Sequence, residues 1–145
     1  MIEQDKIVLL TKENIKSVIP QREPFIMVDN IFEATPQSCE TDFKVQPDNI
    51  FLKEGLLQEP ALLENIAQTC AAGFGFVRRT GNEKPGLGFI GGISKVIVHQ
   101  LPEVNSVINT IVSVIYQLQN IYLVKGESSC NGEKLLECEL KIVLM

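Results

Sequence analysis

Pro47-Asp48-Asn49-Ile50-Phe51-Leu52-Lys53-Glu54-Gly55-Leu56-Leu57-Gln58-Glu59-Pro60-Ala61-Leu62-Leu63-Glu64-Asn65-Ile66-Ala67-Gln68 reads as a loop feeding a helix. Pro60 suits the first helical turn, where a missing N–H costs little, and the pattern predicts a central helix over residues 60–78. That helix is apolar on nearly every face except at Glu64, Asn65 and Gln68. A carboxylate is expensive to bury there unless it is paired, hydrogen-bonded or used, which makes Glu64 the first candidate for chemistry. The plainer reading is an acidic group near a helix start that complements the dipole. The loop over 47–59 is long enough to carry function. Ala61, Ala67, Ala71, Ala72, Gly73 and Gly75 are small, so a sheet can approach the helix closely.

Working outward, Thr11 caps a predicted short helix, Lys12 to Val18, which Pro20 ends because proline biases its predecessor away from helical geometry. A strand is expected from Ile26 to Ala34. Cys39, Thr41, Phe43 and Val45 alternate with Glu40, Asp42, Lys44 and Gln46, the period of a half-buried strand. Beyond the helix the pattern predicts strands over 86–100, 106–119, 121–129 and 134–144. Asn131-Gly132 is a two-residue hairpin signal, and Gly91-Gly92 marks a bulge or a close backbone approach. One long helix and six strands place the chain in the α+β class, and such an antiparallel sheet buries the helix only by curling around it.

With 145 residues, 45% of them hydrophobic, the chain fits a single domain over 1–145. A net charge of −5 and the lack of any Lys/Arg-rich run argue against nucleic acid as a partner. Cys39, Cys70, Cys130 and Cys138 have no Cys-x-x-Cys spacing, and the first residues lack the features of a signal peptide, which fits a reduced, cytoplasmic protein. His99 is the one histidine, so no metal-ligand spacing exists, and an ordinary strand histidine is the expected reading. The run from Ala61 to Val77 approaches spanning length, but Glu64, Asn65 and Gln68 interrupt it, so a core helix is expected and no membrane partner.

Three segments resemble the 3-hydroxyacyl-acyl-carrier-protein dehydratases of the hotdog fold. Ile19-Pro20-Gln21-Arg22-Glu23-Pro24-Phe25-Ile26-Met27-Val28-Asp29 is similar to the family's Leu-Pro-His-Arg-x-Pro-Phe-Leu-Leu-Val-Asp segment. Leu62 to Gln68 is similar to its central-helix motif, a Glu followed four residues later by Gln, and Gly88 to Lys95 to its Phe-x-Gly-Ile-x-Lys strand. The resemblance implies a hotdog domain, a curled antiparallel sheet wrapped around one long helix, acting as a dimer. It implies a substrate carried on the phosphopantetheine of acyl carrier protein and no cofactor. In the family a His from a Gly-His-Phe-Pro-Gly loop handles the α-proton, and the helix Glu, from across the dimer interface, serves the departing hydroxyl. The Glu matches Glu64, the one retained catalytic residue. Counted back without gaps, Gly-His-Phe falls on Asn49-Ile50-Phe51, so isoleucine stands in place of the imidazole. The family's Gly-Val before the Glu, whose backbone N–H groups hold the thioester carbonyl, matches Glu59-Pro60, and proline removes a donor. The chain is also similar to a His-lacking, dehydratase-like branch of aryl polyene and related pigment pathways, which carries a Pro shortly before its Glu.

The site so implied holds Glu64 as acid/base, with Asn49, Ile50, Asn65 and Gln68 as binding residues; the loop is expected to bring Asn49 or Ile50 to the cavity of Glu64. Three functions stay open: a dehydratase-like lyase on 3-hydroxyacyl thioesters, a hotdog thioesterase, and a non-catalytic partner of a His-bearing hotdog subunit. Arg22, Arg78, Arg79, Lys84 and Lys95 are candidate contacts for an acidic carrier protein.

Overall fold

The computed structural model of the chain describes residues 6–82 and 88–145. A 3-10 helix, Lys12–Ser17, opens it where the short helix is expected. Strands β1 (Ile31–Ala34) and β2 (Ser38–Lys44) follow, then the two-residue strands β3 (Leu52–Lys53) and β4 (Leu56–Leu57), helix α1 (Glu59–Thr80), and strands β5 (Gly88–Val98), β6 (Val107–Leu118), β7 (Ile121–Cys130) and β8 (Glu133–Leu144). The main sheet has six strands in the order β1-β2-β6-β7-β8-β5, all pairs antiparallel. It curls around α1, the hotdog arrangement.

Helix α1 starts where proline permits and stops where its charges help. Pro60 lies in the first turn, and Arg78 and Arg79 sit in the last turn against the negative end of the dipole. Asn82, with φ 57°, takes the left-handed conformation that ends many helices. The buried residues Ala61, Leu62, Asn65, Ile66, Thr69, Cys70, Ala72 and Gly73 recur at helical spacing and form the face toward the sheet. There the helix and sheet meet without slack. A Cβ on Gly126 of β7 would lie 2.3 Å from Ile66 Cγ2, and one on Gly73 would lie 2.7 Å from Cys39 Cβ.

A buried hydrogen-bond chain fixes the helix in register with the strands. Thr110 donates to Asn65 Oδ1 at 2.5 Å, and Asn65 Nδ2 donates to the Met27 carbonyl at 2.7 Å. Thr69 donates its one proton to the Asn65 carbonyl at 2.8 Å, so Thr41 must donate in the 2.8 Å contact between the Thr41 and Thr69 hydroxyls. Thr41 and Thr110 are partners across β2 and β6. One line of side chains thus ties α1 to two neighbouring strands and to the segment before β1.

That segment differs from the expected strand over 26–34. Only Ile31–Ala34 is in the ladder. Met27 and Val28 are fully buried, but side chains of α1, not a neighbouring strand, take up the backbone groups of Met27. The Asn131-Gly132 turn has φ 52° and 81°, the conformation that two-residue hairpins prefer, and the ladder slips between Ile90 and Gly92 as the glycine pair predicts. The start of the strand expected over 86–100 lies outside the described residues.

Candidate functional site

A half-buried face of α1 borders a cleft of about 440 Å³. Glu64, Ala67, Ala71, Phe74 and Arg78 line it from one stripe of the helix, at the three- and four-residue spacing that puts side chains on a common face. Val18 to Arg22 form one wall, with Ile90, Ile142 and Leu144 opposite. The wall lies tight against the helix because Gly75 allows it: a Cβ there would be 2.2 Å from the Val18 carbonyl oxygen.

Glu64 is partly buried, and its Oε1 accepts a hydrogen bond from Gln68 Nε2 at 2.9 Å. The Gln68 amide is fully buried, donates also to the Phe25 carbonyl at 2.7 Å, and accepts from the Met27 N–H at 2.7 Å. Every proton and the oxygen are in use, and this allows only one orientation of the amide. Gln68 therefore holds the Phe25–Met27 backbone and aims one N–H at the carboxylate. Asn65, also fully buried, spends its amide on Met27 and Thr110 and is not among the cleft residues. The two helix amides foreseen as binding residues build the support behind Glu64.

Asn49 and Ile50 do not meet Glu64 within one chain. Asn49 borders a different cavity, with Pro24, Ile26 and Asp29, and its amide caps the Phe51 N–H at 2.9 Å and approaches Met27 Sδ at 3.5 Å. Ile50 is 48% exposed. Neither residue lines the Glu64 cleft of the same chain. The cause is the loop itself, which is folded back as the β3–β4 hairpin and tied by the Leu57 N–H to the Pro102 carbonyl at 2.9 Å.

The helix start supplies no pair of carbonyl-binding donors of the kind expected from a Gly-Val sequence. Pro60 has no N–H, and the Ala61 N–H is given to the Gln58 carbonyl at 3.0 Å. His99 lies elsewhere, its Nε2 2.9 Å from Glu137 on β8, and that contact holds the Glu137 carboxyl below the usual carboxylate range. Among the cationic candidates, Arg22 and Arg78 line the cleft. Arg22 binds the Ile19 and Gln21 carbonyls at 2.9 and 2.7 Å, Arg79 donates to Ser17 Oγ at 2.7 Å, and Lys95 pairs with Glu139 at 3.2 Å. Lys84 lies outside the described residues. All four cysteines are free thiols; burial pushes Cys39 up to about 12 and Cys138 up to about 11, values at which neither is a nucleophile near neutrality.

Sequence reasoning missed the walls of the cleft. Nothing in Val18 to Arg22 or in the end of β8 signals that they face Glu64, because only the curl of the sheet brings them together. Phe74 had a signal: it stands ten residues after Glu64 on the same helical stripe.

A family model described as ApeP-like, ApeP dehydratase, matches residues 13–144. The 3-hydroxyacyl-[acyl-carrier-protein] dehydratase FabZ of Oceanobacillus iheyensis is 26% identical over 142 residues, 94% of this chain and 99% of that protein. The FabZ of Clostridium novyi is 24% identical over 131 residues, 88% of this chain and 92% of its own length. A solved structure, the dehydratase heterocomplex ApeI:P from Xenorhabdus doucetiae, aligns with a TM-score of 0.82 at 20% identity over 90% of each chain. That last likeness is one of fold. With a helix carboxylate set in a cleft and a family match over nearly the whole length, the chain belongs to the ApeP-like dehydratase family of hotdog proteins.

Proposed function

We propose that this protein handles 3-hydroxyacyl thioesters carried on acyl carrier protein, with Glu64 as the acid/base that serves the departing hydroxyl. The observation that carries the reading is the placement of Glu64: a carboxylate fixed by Gln68, at the edge of a cleft whose walls are otherwise largely apolar. Dehydration removes a proton from the α-carbon and hydroxide from the β-carbon. A carboxyl group that protonates the hydroxyl supplies half of that, worth on the order of 10²–10⁴-fold. No cofactor is needed for the elimination. Arg22 and Arg78 at the cleft give an acidic carrier complementary charge.

A second reading, favoured by a specific observation, is that another hotdog chain supplies the base. The one histidine is hydrogen-bonded to Glu137 and is not among the cleft residues, while Ile50, at the position of the family's imidazole, is exposed. The ApeI:P structure is of a dehydratase heterocomplex, and this supports an assembly of two different chains.

The test is ultraviolet detection of the enoyl thioester from 3-hydroxyacyl substrates, with thiol release followed in parallel. Glu64→Gln keeps the shape and removes the proton, so turnover drops about 10²-fold or more, for the chain alone or, on the second reading, only after a His-bearing hotdog subunit is added. Full activity of the variant in both settings returns Glu64 to a helix-start charge. Thiol release without enoyl product makes the protein a thioesterase instead.

A further inference from the structure

Phe74 stands between two cavities. It lines the cleft of Glu64 and also a small, partly open void of about 20 Å³ bounded by the turn over 35–38 and by Cys39, Gly73, Val112, Val114 and Val124. The ring is held: it packs edge-on against Tyr122 of β7, centroids 5.0 Å apart at 61°, and the Tyr122 hydroxyl accepts from Gln117 Nε2 at 3.0 Å. From Glu64 the stripe of α1 offers two small residues, Ala67 and Ala71, then the ring, then the charged Arg78. At 1.5 Å per residue the ring lies about 15 Å along the helix from Glu64. An alkyl chain starting at Glu64 finds apolar surface up to Phe74, and an unfavourable charged surface beyond it. The small void shares the ring as a wall with the cleft.

We propose that Phe74, braced by Tyr122, determines which acyl chains this protein accepts, by setting the length of the apolar channel that begins at Glu64. The proposal rests on the cleft being the acyl-thioester site. Each methylene that enters the channel tightens binding about fourfold, and each that meets the ring adds nothing. Phe74→Ala joins the cleft to the void and lets longer chains in; Phe74→Trp shortens the channel.

The experiment is calorimetric titration of the purified protein, in its native assembly, with hydrolysis-resistant acyl-pantetheine amides of increasing chain length. In the wild type the gain in affinity per methylene stops at a definite length. That length moves outward in Phe74→Ala, with the longer chains bound about tenfold tighter or more, and inward in Phe74→Trp. The Trp variant keeps the test decisive if the Ala variant is poorly folded. The same limiting length in wild type and either folded variant overturns the gate while leaving the cleft as the acyl site. Absence of binding by every chain length in the wild type overturns both.

Discussion

At the scale of single residues, Glu64 owes its position to Gln68. The Gln68 amide meets three partners: the Met27 N–H, the Phe25 carbonyl and Glu64 Oε1. Gln68→Leu removes all three bonds and leaves the buried Met27 N–H without its acceptor, so unfolding stability falls by about 2–4 kcal/mol. Gln68→Glu separates charge from shape. One carboxylate oxygen can still accept from Met27, but the other then faces the Phe25 carbonyl and the Glu64 carboxylate, both acceptors. Burial and like charge raise the pKa of the introduced group in the folded state above its unfolded value. Its destabilisation is therefore full at neutral pH and is relieved as pH falls through the raised folded pKa, where the protonated acid donates as the amide did. Urea denaturation across pH measures this. A variant whose deficit relative to wild type is the same at neutral and acidic pH would mean that Gln68 is not oriented as described.

At the scale of elements, the contact between α1 and β7 is set by the missing Cβ of Gly126, over which the Ile66 side chain sits. Gly126→Ala forces a shift at a fully buried isoleucine and costs about 1–3 kcal/mol; Ile66→Val in the same chain frees a methyl's worth of space and recovers part of it, a non-additive pair in thermal unfolding. Additive losses would place the strain elsewhere. Much of this level was legible in the sequence. Helix α1 announced itself through Pro60 and the spacing of its apolar residues, and β2 and β8 through strict alternation, because a single buried face imposes a single period. The β3–β4 hairpin was not legible, since arms of two residues are too short to show a period, even though Glu54-Gly55 with φ 53° and 77° makes a two-residue turn. Residues 26–28 read as strand because they are an apolar run, and sequence periodicity cannot tell the backbone groups of Met27, satisfied by helix amides, from groups satisfied by a ladder. For the same reason Glu64 could be found as an isolated carboxylate, while Asn65 and Gln68 looked like ligand-binding groups until their partners were visible.

At the scale of the whole molecule, the open edge of β5 is the feature that the single chain does not explain. The strand has eleven residues, every one exposed, and Phe89, Ile90, Ile93, Val96, Ile97 and Val98 lie between 36% and 53% accessible. It is an edge of the six-stranded sheet, and Lys95 is its one charged residue. Monomeric proteins shorten such edges, charge them or break them with proline; this one is long, holds no proline and carries a single charge. Ile90 also lines the Glu64 cleft, so whatever covers β5 borders the site as well. Edge-to-edge pairing with a second hotdog chain, identical or not, completes its unpaired backbone groups and covers part of its apolar side chains. Light scattering at micromolar concentration is expected to give about twice the 16.1 kDa chain mass for the protein alone or, if the assembly is mixed, with its partner subunit present. Ile93→Lys together with Ile97→Lys puts two charges in the middle of that edge and should return the protein to one chain mass, lowering any dehydratase activity with it. If wild type stays at a single chain mass both alone and with a His-bearing hotdog subunit, β5 is not the assembly edge, and the site must function on the residues of one chain.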